Sequence, residues 1–244
     1  MKRVLFTAGI ALAVVFVSGI GSPLPAQAQE RVDTPYDWID RSLRLGVYAG
    51  HLGADRGSSE IGPGSTNVFG ARLRTRVSSP LSLELNTGLG SSDRYVIDPR
   101  PESGPAAVDT VDVGWLMIEG GFQIALTGAR TLHRLQPYVT LTGGVLLGID
   151  EEQSDSLAAP ADVPFRYEVG TAGVFSGGVG VEWLPAERLG IGLEVRDHLW
   201  RIKTPDGFFQ ADVLERIEEL GLPAPRESEW VHNLELSASL YYYF

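Results

Sequence analysis

An all-β chain that closes as an eight-stranded antiparallel up-and-down transmembrane β-barrel is what three features of the sequence predict. Apolar residues alternate with polar or small ones over eight segments. The connections between those segments are alternately long and short. The chain opens on a leader-like run and keeps no second apolar stretch long enough for a membrane helix. Period-two alternation belongs to a strand with two unlike faces. Short periplasmic turns and long extracellular loops are the connection pattern of an outer-membrane barrel.

The leader comes first. Met1-Lys2-Arg3 is a short positive start, Val4 to Ile20 is uncharged, and Ser22, Pro23 and Pro25 break the run. Ala26-Gln27-Ala28 is a small-x-small cleavage site, so 1–28 reads as a signal peptide. The run is short for a membrane span of roughly 20 residues. Residues 29–41 are expected to be a periplasmic N-terminal segment and 42–244 the barrel domain. After residue 28 the chain holds 18 basic and 31 acidic side chains, a net charge of −13. Such acidity argues against nucleic acid as a partner. With no cysteine, an exported fold must hold without disulfides.

The strands are expected at about 42–52, 66–78, 80–91, 111–126, 135–149, 166–184, 188–203 and 230–244. Between them lie a long polar loop to Ser65, the short Ser78-Ser79-Pro80, and a long loop over 92–110 with Pro99, Pro101 and Pro105. A short turn from Thr127, a long acidic loop over 150–165, the short Leu184-Pro185-Ala186-Glu187 and a long connection over 204–229 follow. An even strand count leaves both ends of the barrel domain on the periplasmic side. The faces divide cleanly. Leu43, Leu45 and Val47 oppose Arg44, Gly46 and Tyr48. Leu83, Leu85 and Leu89 oppose Glu84, Asn86 and Gly88. Leu234, Leu236, Ala238, Leu240, Tyr242 and Phe244 oppose Asn233, Glu235, Ser237, Ser239, Tyr241 and Tyr243. The apolar face suits lipid, and closure pairs every backbone group, as a bilayer requires. A soluble sandwich or lipocalin-like barrel has the same period turned inside out. The loop alternation favours the membrane. So do Trp115, Trp183, Trp200, Trp230 and Tyr241–Phe244, which lie near segment ends and are expected to form interfacial girdles.

On these residues the sequence resembles the eight-stranded outer-membrane barrels, the superfamily of the OmpA transmembrane domain, OmpX and OmpW. The likeness spans the chain after the leader. It rests on the leader, the strand count, the loop asymmetry and the last strand, Leu236-Ser237-Ala238-Ser239-Leu240-Tyr241-Tyr242-Tyr243-Phe244. It implies that Leu240, Tyr242 and Phe244 form the signal read by the barrel-assembly machinery. It also implies surroundings of outer-membrane lipid and lipopolysaccharide. Since the sequence stops at Phe244, an OmpA-type cell-wall tether is not expected.

Inward parity falls on Arg44, Arg72, Arg74, Arg76 and Arg196, and on Glu84, Glu119, Glu182, Glu194 and Glu235. Arg74 and Arg76 are expected beside Glu84, and Arg196 and Glu194 beside Glu235. Eight strands leave room for side chains or one small ligand, and buried charges must be paired. Five against five therefore reads as an interior filler rather than a selective pore. In the last loop, Asp206 is expected to cap a helix running to Leu220, with Phe209, Val213, Ile217 and Leu220 on its apolar face. That face packs on the barrel mouth, or forms a lid over a hydrophobic ligand. Asp150, Glu151, Glu152 and Asp155 read as a solvated loop rather than a calcium site. The four histidines show no metal-ligand spacing, and neither a metal nor a cofactor is expected. Non-enzymatic structure or surface interaction is the function favoured. An OmpW-like conduit or binder for small hydrophobic molecules and a lipid A-modifying enzyme are the rivals. Mass spectrometry of the chain purified from outer membranes should find Gln29 as the first residue. Retention of Val4–Ile20 would contradict the leader reading.

Overall fold

The computed structural model describes residues 35–244, so the expected signal peptide lies outside the described residues. Ten strands form one antiparallel sheet among those described: β1 (Tyr36–Trp38), β2 (Leu43–Gly53), β3 (Thr66–Arg76), β4 (Leu81–Asp98), β5 (Ala106–Ala125), β6 (Arg130–Leu132), β7 (Leu135–Glu151), β8 (Thr171–Ala186), β9 (Leu189–Lys203) and β10 (Ser228–Tyr243). The eight long ones are neighbours in the order β7-β5-β4-β3-β2-β10-β9-β8. The ring closes where β8 pairs with β7, from Leu135 opposite Trp183 to Leu147 opposite Thr171. This is a closed up-and-down barrel.

Its faces are apolar outside and polar inside. Leu45, Val47, Leu83, Leu85, Leu193, Leu236 and Leu240 are exposed, whereas Arg72, Glu84, Glu119, Glu194, Arg196 and Glu235 are buried. An apolar wall of this extent is unfavourable against water, since each Å² left there forgoes about 25 cal/mol. Hydrocarbon is the medium that suits it.

Several sequence expectations are corrected. The loop placed at 92–110 is mostly a hairpin. β3 stops pairing at Gly90 and β7 at Val113, but β4 and β5 continue together to Asp98 opposite Ala106. Pro99, Pro101 and Pro105 all fall in its tip, so they marked the turn and not the whole stretch. β8 starts at Thr171, because 155–157 and 160–165 are 3-10 turns. The β8–β9 turn is Glu187-Arg188, with Pro185 inside an irregular strand end.

The segment before β2 carries a strand that sequence reading missed. β1 pairs with β6 in the turn between β5 and β7, with Trp38 opposite Arg130. Ile39 then tucks under the barrel. Its N–H donates to the Ala129 carbonyl at 2.9 Å, and its side chain packs with Leu184, Tyr241 and Tyr243. Three residues are too few to show a period. The expected girdle also divides. Trp183, Trp230, Tyr242 and Phe244 are outside, but Trp115, Trp200, Tyr241 and Tyr243 are buried inside. Their parity along the strand decides this, and their nearness to a strand end does not.

Four of the inward rings follow one rule. Tyr48 lies opposite Gly70, Trp115 opposite Gly90, Tyr138 opposite Gly180 and Tyr241 opposite Gly46. Each ring leans across the strand into space that only the missing side chain leaves open. A Cβ on Gly70 would strike both the Tyr48 ring and the Thr87 carbonyl oxygen. Gly70→Val should therefore cost about 1–3 kcal/mol of overpacking. That loss would be read as a lower urea midpoint and less heat-modifiable folded band on gels. An unchanged midpoint would contradict the packing described.

Candidate functional site

The candidate site is the barrel interior and the cap above it. In a closed barrel of eight strands, inward side chains meet across the lumen. Three arginines on two strands sit at its centre. Arg196 on β9 reaches Glu84 at 2.5 Å, Glu194 at 2.7 Å and Glu119 at 3.5 Å. Arg74 on β3 reaches Glu84 at 2.7 Å and Glu194 at 3.1 Å. Arg72 reaches Glu235 at 3.2 Å and Glu194 at 3.3 Å, with its guanidinium 4.0 Å from the Tyr48 ring centre. The Tyr138 hydroxyl donates to Glu194 at 2.7 Å, and Asn86 donates to Glu119 at 2.8 Å. Lower down, Arg44 lies 3.8 Å from Glu182, which accepts from the Tyr243 hydroxyl at 2.5 Å. Arg44 also donates to Gln123.

Nine of the ten charged residues singled out by parity thus meet in one set, and Arg76 does not. Its register partner is Ser82, while Arg74 lies opposite Glu84. Arg76 is half-buried at the inner end and donates to the carbonyls of Ile39 and Arg41 at 2.5 and 2.6 Å. It holds the plug that Ile39 forms at that end. The expected meeting of Arg196 and Glu235 is also corrected. They are opposite in register, but the Glu235 carboxylate turns to Arg72 and to His198.

His198 is the residue that sequence reasoning missed. It shares the inward parity of Glu194 and Arg196, and that parity is the sequence signal that places it in the lumen. It is fully buried. Nδ1 lies 2.7 Å from Ser176 Oγ and 3.7 Å from Glu119, and Nε2 lies 3.3 Å from Glu235. Ser176 has one proton, and its hydroxyl donates it to the Glu119 carboxylate. Its oxygen therefore accepts from Nδ1. Nε2 faces a second carboxylate, which only accepts. Both ring nitrogens are donors in this arrangement, which is the charged form. Arg44, Arg72, Arg74, Arg196 and His198 then balance Glu84, Glu119, Glu182, Glu194 and Glu235.

Above the network the loops form an apolar plug. Ile61, Val96, Val113, Leu157, Phe165, Trp200 and Ile202 pack with Phe208, Val213 and Ile217. The helix expected from Asp206 is split. Asp206–Phe209 is a 3-10 turn, Gln210 is extended, and α1 runs Ala211–Glu219. One straight helix would hold Phe209 and not Phe208 on the face of Val213 and Ile217. The break lets Phe208 enter the core, leaving Phe209 half-buried and Leu220 exposed. Arg100 ties the cap together. It bonds Asp98 at 2.8 Å and Asp162 at 2.6 Å, and its carbonyl accepts from Arg216 on α1. The Arg100 hydrogen bonds hold the Asp98 carboxyl below its usual range. Among the described residues, no three acidic or histidine side chains converge as metal ligands.

No protein-family model matches the chain. Cytochrome f from two Nostoc species is 26% identical over 117 residues, covering 45% of this chain and 34% of cytochrome f. The chain thus spans about a third of the length of these curated relatives. It has no cysteine, and so no Cys-x-x-Cys-His haem-attachment sequence. Among solved structures, OprG from Pseudomonas aeruginosa superposes with a TM-score of 0.52 at 13% identity, over 84% of this chain and 97% of OprG. Neisserial surface protein A has a TM-score of 0.47 at 14% identity, over 83% and 97%. The chain has the fold of the small eight-stranded outer-membrane barrels.

Two outcomes follow from this geometry. His198→Leu leaves two buried carboxylates short of a donor and should cost about 3–5 kcal/mol in urea unfolding from vesicles. Ser176→Ala should cost nearer ~1 kcal/mol. Equal losses would contradict the charged role. At the cap, a carboxyl with a lowered folded value contributes above its unfolded value, near 3.9. The Asp98–Arg100 tether should therefore hold at neutral pH and loosen as pH falls below about 4. Proteolysis of the hairpin tip should rise there in the wild type, whereas Arg100→Ala should be cut at both pH values.

Proposed function

We propose that this is an exported outer-membrane protein with a sealed interior, whose role is structural or lies in the surface its four outer loops present. The supporting observation is that buried side chains occupy the lumen at both ends and in the middle. Ile39 and Tyr243 close the inner end, the Arg–Glu–His set fills the middle, and the Phe208–Ile217 core closes the mouth. In this reading 1–28 is the cleaved leader. Leu240, Tyr242 and Phe244, all exposed on the lipid face, are the assembly signal. Lipid and lipopolysaccharide surround the wall. The enzyme reading is disfavoured by Ser176, whose proton is committed to Glu119 and whose oxygen accepts from His198. A nucleophile needs the opposite polarity.

A second reading has its own observation. A cavity of about 340 Å³ lies between the hairpin and residues 152–170, over Ile61, Val96, Leu157 and Phe165 with Arg94 and Tyr167 at its side. Asp150, Glu152, Arg166 and Glu168 also border it, so its size and mixed lining suit a small molecule with an apolar body and a polar end. Planar-bilayer recording separates the two. The sealed barrel gives no steady conductance and no uptake of a hydrophobic dye into vesicles. Open-channel steps in the wild type would overturn it, and saturable dye binding lost in Phe165→Asp would favour the binder.

A further inference from the structure

Charge on this barrel is divided by end. The outer stretches 53–65, 92–114, 148–173 and 197–232 hold 21 acidic and 8 basic residues. The inner edge reverses the sign, with Arg41, Arg76, Arg130, Arg134 and Arg188 against Asp37, Asp40 and Glu187. Arg41 and Arg76 serve the plug, and Arg76 is committed to backbone carbonyls. The other three stand along one stretch of rim, on the turns below β7, β8 and β9, and all are exposed.

Each of the three is held by that rim. The Arg130 guanidinium lies 4.3 Å from the ring centre of Trp38. Arg134 donates to the Pro185 carbonyl at 3.3 Å, and Arg188 donates to the Tyr242 hydroxyl at 3.1 Å. These contacts leave other guanidinium N–H groups of each arginine for a ligand, because a guanidinium has five donors. Beside them the exposed Trp38, Leu135, Trp183, Tyr242 and Phe244 continue the apolar wall downward. Cations backed by aromatic rings at the foot of a lipid-facing wall are placed where headgroup phosphates lie.

We propose that the rim formed by Arg130, Arg134 and Arg188 binds the phosphates of anionic phospholipids in the inner leaflet. The inference rests on the membrane reading above. Its occupant follows from charge complementarity at this end and from continuity with the lipid-facing wall. A free inorganic anion or a periplasmic protein would use the cations without needing the adjoining apolar wall.

The test reconstitutes the full chain in vesicles of phosphatidylcholine with and without one-fifth phosphatidylglycerol. Lipids retained by the protein are then identified by native mass spectrometry. Phosphatidylglycerol should be enriched at least ~fivefold, on the scale of one basic residue near an anionic surface. Arg130→Ala/Arg134→Ala/Arg188→Ala should abolish the enrichment, and the three lysine replacements should keep most of it. Millimolar inorganic phosphate should not displace the lipid. Wild-type enrichment in the alanine variant, no enrichment in the wild type, or displacement by phosphate would each overturn the proposal. Failure of the wild type to insert in either vesicle would instead overturn the membrane reading beneath it. All three positions are exposed, so the gel-mobility shift of the folded form should be unchanged in the variants.

Discussion

A guanidinium or carboxylate taken out of water loses solvation that only opposite charge and hydrogen bonds restore. A barrel with leucine outside must place its charges inside. Here that constraint is met by sharing. Glu84 serves Arg74 and Arg196, Glu194 serves Arg72, Arg74 and Arg196, and Glu119 serves Arg196 and His198. No charge in the centre belongs to a single partner. The hydroxyls and amides of Tyr138, Tyr243, Asn86 and Ser176 take up carboxylate lone pairs. The Tyr138 ring, which brings one of those hydroxyls inward, requires Gly180 opposite it. Packing and electrostatics are therefore one problem in this lumen.

The ends solve a different problem. Neither end of a barrel is closed by strands, so each needs material from elsewhere. The inner end borrows Ile39 from the segment before β2, secured by β1, by β6 and by Arg76. The outer end borrows apolar residues from every loop, secured by Arg100. These two plugs keep water from the charges and allow the ion pairs a low-dielectric setting in which they are strong.

How much of this was legible in the sequence follows from period. Strand parity assigns ten arginines and glutamates to the inward face, and loop length assigns the order of turns. Parity could not give side-chain reach, so Arg76 is expected beside Glu84 when it turns away to the carbonyls of Ile39 and Arg41. It could not give partners across the lumen, because Arg72 and Glu235 are far apart in sequence and meet only after closure. His198 carries the right parity, but a histidine is neutral or charged according to its neighbours, and parity does not name those. β1 was too short to have a period. In the last loop, the helical face was read as continuous, and the break at Gln210 depends on Phe208 finding a place beside Phe165. That requirement is tertiary.

Interior charge persists in this barrel as one mutually neutralised set. A double-mutant cycle on the 2.7 Å pair of Arg74 and Glu84 tests it most directly, by urea unfolding of Arg74→Met, Glu84→Leu and the double variant in vesicles. Each single change should cost about 3–5 kcal/mol, and the double variant should lose far less than their sum. Losses that simply add would contradict it.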